Sequence, residues 1–192
     1  MIKMKTKFIA ILLFITTIFS CKNDSNNEKS NVENNQTGVT KNVKITLNVV
    51  VKKDDNFQVY YTEKSSNDFN EKESVWVEVK GSENPQDVVF NIPEDVIPTM
   101  FRLDFGVNQK QEDIKLNGVN IEYLGKSFKT QIPLLANYFR PEPSTSIDFK
   151  TGIIKAIIKD GKRQEPALYP HETVLQPEIE KLIEKKKNKF LH

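Results

Sequence analysis

From Asn42 onward the chain alternates apolar and polar residues with a period of two. Val43, Ile45, Leu47, Val49 and Val51 interleave with Lys44, Thr46 and Asn48, and Val50 alone breaks the polar side. Successive side chains of a strand point to opposite faces, so this spacing predicts a strand with one buried and one wet side. The rhythm returns in Phe57-Gln58-Val59-Tyr60-Tyr61, Val75-Trp76-Val77-Glu78-Val79, Val88-Val89-Phe90-Asn91-Ile92 and Phe101-Arg102-Leu103-Asp104-Phe105. Turn formers separate the runs: Asp54-Asp55-Asn56, Gly81 with Asn84-Pro85, Pro93 with Pro98, and Gly106.

Asn117-Gly118 predicts a two-residue type I′ hairpin, because that turn needs positive φ at both central positions and these residues tolerate it. Closing the hairpin sets Leu116 opposite Val119 and Ile114 opposite Ile121, all on one face, so register and apolar pattern agree. Further strands are expected near Ser127–Ile132 and Gly152–Lys159. In the second of these, Ile153, Ile154, Ile157 and Ile158 also fit a helical stripe, while Gly152, Gly161 and the β-branched content favour a strand. About seven to nine short, half-polar strands make a mainly β protein, an antiparallel β-sandwich with Greek-key or jelly-roll connections.

The end of the chain reads differently. Pro141, Pro143, Pro166 and Pro170 mark extended, loop-like connections, and Pro177 stands where a helix would start. Leu175, Ile179, Leu182 and Ile183 follow at helical spacing, with Lys185, Lys186, Lys187 and Lys189 beyond them. The pattern predicts a short amphipathic C-terminal helix packed on the sandwich edge, its lysines complementing the helix dipole. The alternative is a basic helix that touches anionic headgroups or a partner, although Glu178, Glu180 and Glu184 dilute its charge.

At the other end, Lys3, Lys5 and Lys7 precede an apolar run from Phe8 to Ile15, and Ile18-Phe19-Ser20 lead to Cys21, the single cysteine. Charge, apolar run, small residue and cysteine in that order predict a secretory leader, residues 1–20, removed ahead of a lipid-modified Cys21. The apolar stretch is shorter than the ~20 residues a spanning helix needs. Ile18 and Ser20 before the cysteine resemble the bacterial lipoprotein signal. That resemblance implies lipid anchoring in the cell envelope, and Lys22 after the cysteine implies sorting to the outer membrane. Residues 22–40 hold six asparagines and two aliphatic side chains, Val32 and Val39. Such a stretch buries too little to offset its ordering entropy, so residues 21–41 read as lipidated Cys plus flexible tether, about 25 Å from end to end. The β-sandwich domain is then expected over 42–160, with a proline-containing loop and the C-terminal helix over 161–192.

Losing the three leader lysines takes the net charge from +2 to −1, which gives no electrostatic case for nucleic-acid binding. With the sole thiol lipidated, neither a disulfide nor a cysteine-based metal site can form. His171 and His192 are the only histidines, no Gly-x-Ser-x-Gly or glycine-rich phosphate loop occurs, and Asp54-Asp55-Asn56 lacks calcium-loop spacing. No catalytic, metal or cofactor site is therefore expected. Among the acids Asp104 stands out: it lies mid-strand, two residues from Arg102, so the two point the same way and can pair.

Strand phase carries the remaining signal. With the valines of 75–79 inward, Trp76 and Glu78 face outward, and by the same count so do Tyr60 and Gln58. Outward aromatics beside Arg102 and Asp104 suit a sugar, whose apolar side stacks on a ring, and equally suit a protein interface. The bland alternative buries Trp76 as core under the helix or a second sheet. Phe101-Arg102-Leu103-Asp104-Phe105-Gly106 and the hairpin after it are similar to the strand pattern of galactose-binding-like and carbohydrate-binding-module sandwiches. That resemblance spans residues 43–158 and implies a jelly roll with glycan contact. The expected function is an anchored, non-catalytic binding module for a glycan or an envelope protein, through Tyr60, Trp76, Arg102 and Asp104. The alternatives are a polysaccharide hydrolase with paired carboxylates, Asp104 among them, and a purely structural assembly lipoprotein.

Overall fold

The computed structural model describes residues 41–184. The expected leader, Cys21, the tether of residues 22–40 and the lysines of 185–189 lie outside the described residues. Within them the chain forms β1 (Lys44–Val51), β2 (Asp55–Thr62), β3 (Ser74–Val79), β4 (Ser82–Asn91), β5 (Met100–Asp104), β6 (Ile114–Tyr123) and β7 (Lys126–Gln131). Then come β8 (Phe139–Pro141), β9 (Ile147–Asp148), β10 (Ile153–Ile154), β11 (Ile158–Lys159), β12 (Lys162–Arg163), β13 (Ala167–Pro170) and α1 (Glu172–Ile183).

The fold is a β-sandwich of two antiparallel sheets. One runs β4-β1-β6-β10-β9, with β7 also on β6; the other runs β3-β2-β5-β13-β8, and β11 and β12 form a separate hairpin. The chain changes sheet between β1 and β2, again between β3 and β4, and then on each step to β6. The alternation read from β1 holds along its whole length, with Ile45, Leu47, Val49 and Val51 buried to the last atom. They meet Phe57, Phe101, Leu103 and Phe105 of the second sheet in one apolar cluster, where Phe57 and Phe105 pack edge to face at 5.7 Å. Removing this apolar surface from water is the dominant favourable term for the fold.

Asn84-Pro85, expected as a turn, lie inside β4, where the pairing with β1 is interrupted between Ser82 and Gln86; three larger sequence expectations are also corrected. Asn117-Gly118 is not a hairpin: β6 runs straight through it, and β1 skips one partner there, pairing Asn48 with Gly118 but Val49 with Leu116. The cause is parity. Leu116 and Val119 are both inward yet three positions apart, so one extra residue must be absorbed, and a β-bulge does this as well as a turn. The two-residue turn lies further on, at Leu124-Gly125, both at positive φ (48° and 76°), where Tyr123 pairs with Lys126.

Second, residues 167–170, expected as loop because prolines flank them, form β13 in the interior of the second sheet, between β5 and β8. The sandwich therefore extends past residue 160, and only α1 follows it. Third, α1 begins at Glu172 and carries Pro177 inside rather than at its start. Pro177 has no N–H for the carbonyl one turn earlier. Burial of Leu175, Ile179 and Leu182 in the core shared by both sheets offsets that loss. At the far end Lys126 Nζ donates to the carbonyls of Lys181 (2.8 Å) and Glu184 (2.7 Å), placing a cation where the dipole is negative. The 152–159 region is β10 and β11 rather than a helix.

Candidate binding site

The outer face of the second sheet carries the four residues singled out in the sequence. Register makes two rows across the strands. Ser74, Tyr60 and Arg102 stand side by side, and Trp76, Gln58, Asp104 and Ala167 form the next row. Side chains at opposite positions on one face touch, which is why residues far apart in sequence converge here.

Arg102 binds Asp104 through both arms of the carboxylate, Nε to Oδ1 at 2.8 Å and Nη2 to Oδ2 at 2.5 Å. Its guanidinium lies 4.5 Å from the Tyr60 ring centroid and 5.1 Å from that of Tyr169, and Arg140 lies 5.4 Å from the Tyr169 ring. The planar cation is thus stacked between two aromatic rings, a geometry that suits arginine and not lysine. Burial pushes the Asp104 carboxyl up to about 6, and the charges of Glu165 and Glu142 add to the rise, against the pull of Arg102. Burial works most strongly against the Arg102 charge, but the hydrogen bond to Asp104, the charge of Asp104 and the neighbouring Tyr169 and Tyr60 together outweigh it and hold the guanidinium above its ordinary value. Tyr60 is raised as well, by burial first and then by Glu71 and Asp104.

The outward direction read from strand phase is correct for all four residues, but outward is not exposed. Trp76 is 47% exposed and so is not core; Tyr60 is 8% exposed. The 63–73 segment folds back over the face: the Tyr61 N–H donates to Glu73, the Tyr60 hydroxyl approaches Glu71 at 3.5 Å, and Phe69 packs edge-on to Tyr169 at 5.9 Å. The aromatics therefore do not form one continuous exposed patch. Trp76, Tyr60, Arg102 and Asp104 instead line a single recess of about 190 Å³, with Val107 beside Trp76 at its rim. A wider cleft of about 450 Å³ begins on the other side, sharing Arg102, Asp104 and Glu165 and adding Glu142, Lys162 and Tyr169. Glu142 is held by the N–H and hydroxyl of Ser144.

The sequence reading missed Tyr169, Glu142 and Glu165, since all three sit in what looked like proline-rich loops. It also took Asp55 for a turn residue only. Asp55 is buried at the start of β2, where Oδ1 accepts the N–H groups of Asn56 (2.8 Å), Val107 (2.8 Å) and Asn108 (2.9 Å). Its Oδ2 accepts Gln111 Nε2 at 3.1 Å. Gly106 lies against this carboxylate at φ +85°, and a Cβ there would collide with it. Arg163, buried on β12, reaches the carbonyls of Gly106 (3.2 Å) and Phe105 (3.4 Å), and burial lowers its pKa. This corner ties the loop after β5 and the β11–β12 hairpin to the sheet, and so builds one wall of the wider cleft.

His171 precedes α1, its N–H donating to the Tyr138 carbonyl and its own carbonyl accepting from Val174 and Leu175, and it lines neither recess. Among the described residues no group of three or more His, Cys, Asp or Glu is placed to hold a metal ion, and no helix is long and apolar enough to cross a membrane. No protein-family model, curated protein or solved structure matches this chain.

Proposed function

We propose that this protein is a lipid-anchored lipoprotein of the bacterial envelope whose β-sandwich is a non-catalytic binding module for a glycan or an envelope protein. The observation that carries the binding half is the shared recess. An exposed indole stands at its mouth, and a stacked, hydrogen-bonded Arg102–Asp104 pair forms its floor. An exposed tryptophan beside oriented polar groups supplies what a sugar ring or an aromatic interface anchor requires. The anchoring half rests on Cys21 and the residues before it. W76A is expected to lose retention on a glycan array or in a pull-down of envelope proteins while its unfolding curve stays unchanged. Unchanged retention overturns the reading. Mass spectrometry of the native product tests the anchor: an acylated N-terminal Cys21 is expected, and a bare thiol behind an intact leader is the opposite result.

One observation favours a second reading, hydrolysis of envelope polysaccharide. Glu142 and Glu165 line the same cleft as Asp104 and help to raise its pKa toward 6, where a general acid operates. Against it, both Asp104 oxygens are engaged by Arg102. Reducing ends released from polysaccharide by the wild type and not by D104N would support hydrolysis; no release by either supports binding alone.

A further inference from the structure

The opposite face of the sandwich carries a second recess, and it is built differently. On the outer side of the first sheet, register sets Asp87, Asn48, Gly118 and Gln131 in one row across β4, β1, β6 and β7. Thr46, Asn120 and Lys129 stand in the next row. The row spans about 14 Å across the four strands, and β7 packs so closely at Gly118 that a Cβ there would meet the Thr130 carbonyl at 2.7 Å and Gln131 Cγ at 3.1 Å. The bulge at Asn117 brings its side-chain amide to Asn48 on the same surface. These residues line a depression of about 290 Å³.

Its chemistry is that of neutral amides. Asn117 Nδ2 donates to Asn48 Oδ1 at 2.8 Å, and Asn48 Nδ2 donates to Asp87 Oδ1 at 2.6 Å, so a chain of bonds fixes the direction of each amide. One group is left over. Asn120 Oδ1 is buried and has no hydrogen-bond partner. A sealed, unpaired carbonyl costs about 1–3 kcal/mol, and the soft χ2 of asparagine lets the oxygen swing into the depression to meet a donor. An ordinary solvated sheet face presents long charged side chains; here the charges, Asp87 and Lys129, stand at opposite ends and the centre is uncharged. Side-chain amides both give and accept hydrogen bonds, as hydroxyls do, so vicinal hydroxyls are their natural complement. No aromatic ring lines the recess, and its volume lies at the low end of the ~300–1,000 Å³ usual for small-molecule sites.

We infer that this amide-lined depression is a second binding site, taking a short, neutral, hydroxyl-rich ligand such as one or two sugar units, on the face opposite Trp76. The site stands independently of the function proposed above.

The test is a nuclear magnetic resonance titration of the full chain with glucose, galactose, mannose, N-acetylglucosamine and their β-linked disaccharides. At least one sugar is expected to shift the side-chain amide signals of Asn48, Asn117 and Asn120 saturably. N120A is expected to bind that sugar at least tenfold more weakly. Because N120A removes a buried carbonyl that makes no bond in the folded protein, it should unfold at a urea concentration no lower than the wild type, which separates lost binding from lost structure. If no sugar moves these amides, or if N120A binds as well as the wild type, the inference is overturned. Should N120A prove unstable, Q131A reads the same loss from the β7 side of the depression. The Trp76 indole signal reports the opposite face separately, so the two sites succeed or fail on different resonances.

Discussion

Asp55, buried, and Asp104, partly buried, are carboxylates on neighbouring strands of one sheet, yet the protein treats them in opposite ways. Asp55 accepts three backbone N–H groups and one amide, all from segments that must be held in place, and Gly106 closes against it with no room to spare. Asp104 accepts only a side chain, and that side chain is sandwiched between rings at the boundary of two open recesses. A carboxylate bonded to backbone organises chain, because its partners cannot leave without unfolding a loop. A carboxylate bonded to a guanidinium beside water leaves lone pairs and edges for a ligand, at the expense of a burial penalty. The difference separates a carboxylate that organises chain from one left beside open recesses, on adjacent strands.

The largest effect is expected at the structural carboxylate. D55A leaves the part-buried N–H groups of Asn56, Val107 and Asn108 and the Gln111 amide without their acceptor, and should lower stability by about 3 kcal/mol, read as a fall in the urea midpoint. A variant as stable as the wild type would erase the contrast. G106A comes next, at about 2 kcal/mol, since alanine resists φ +85° and its Cβ meets the Asp55 carboxylate. Combining G106A with D55A should cost less than the two single losses together, and strict additivity would show that the glycine is needed only for its backbone angle.

Asp104 should show itself through pH. Its folded value of about 6 lies above the ordinary 3.8, so the stability it contributes is complete below about pH 4 and is lost as pH rises through about 6. The difference in unfolding free energy between wild type and D104N should therefore fall across that window by up to about 3 kcal/mol. A difference that grows with pH would mean that Arg102, not burial, dominates the pair. The smallest change in stability belongs to W76A, within about 0.5 kcal/mol, because an exposed side chain removes little from the core. A larger loss would mark Trp76 as structural and sharpen the contrast in the other direction.

Local periodicity was enough to place β1, β2, β3, β5, the second half of β4, the strand near Ser127 and the C-terminal helix, because a period of two or of 3.6 is written into neighbouring residues; it did not reach the first half of β4, where Asn84-Pro85 looked like a turn. It also placed Arg102 beside Asp104, since residues two apart on a strand must share a face. It failed at Asn117-Gly118, where the break in parity between Leu116 and Val119 admits a turn or a bulge equally. Only the partner strand, β1 continuing past the break, chooses between them. It failed at Tyr169 for a related reason: Pro166 and Pro170 look like loop, and the vacancy beside β5 that draws Ala167–Pro170 into the sheet is visible only once the sheet exists.

The same division runs through the site. Alternation along one strand dictates which way Trp76, Tyr60, Arg102 and Asp104 point, because each side chain's direction follows from its own backbone. Whether a pointing side chain meets water depends on what folds over it. The 63–73 segment covers Tyr60 and leaves Trp76 bare, and the β11–β12 hairpin raises the wall that turns a flat sheet into a cleft. Those contacts join residues many positions apart, and no short-range pattern records them.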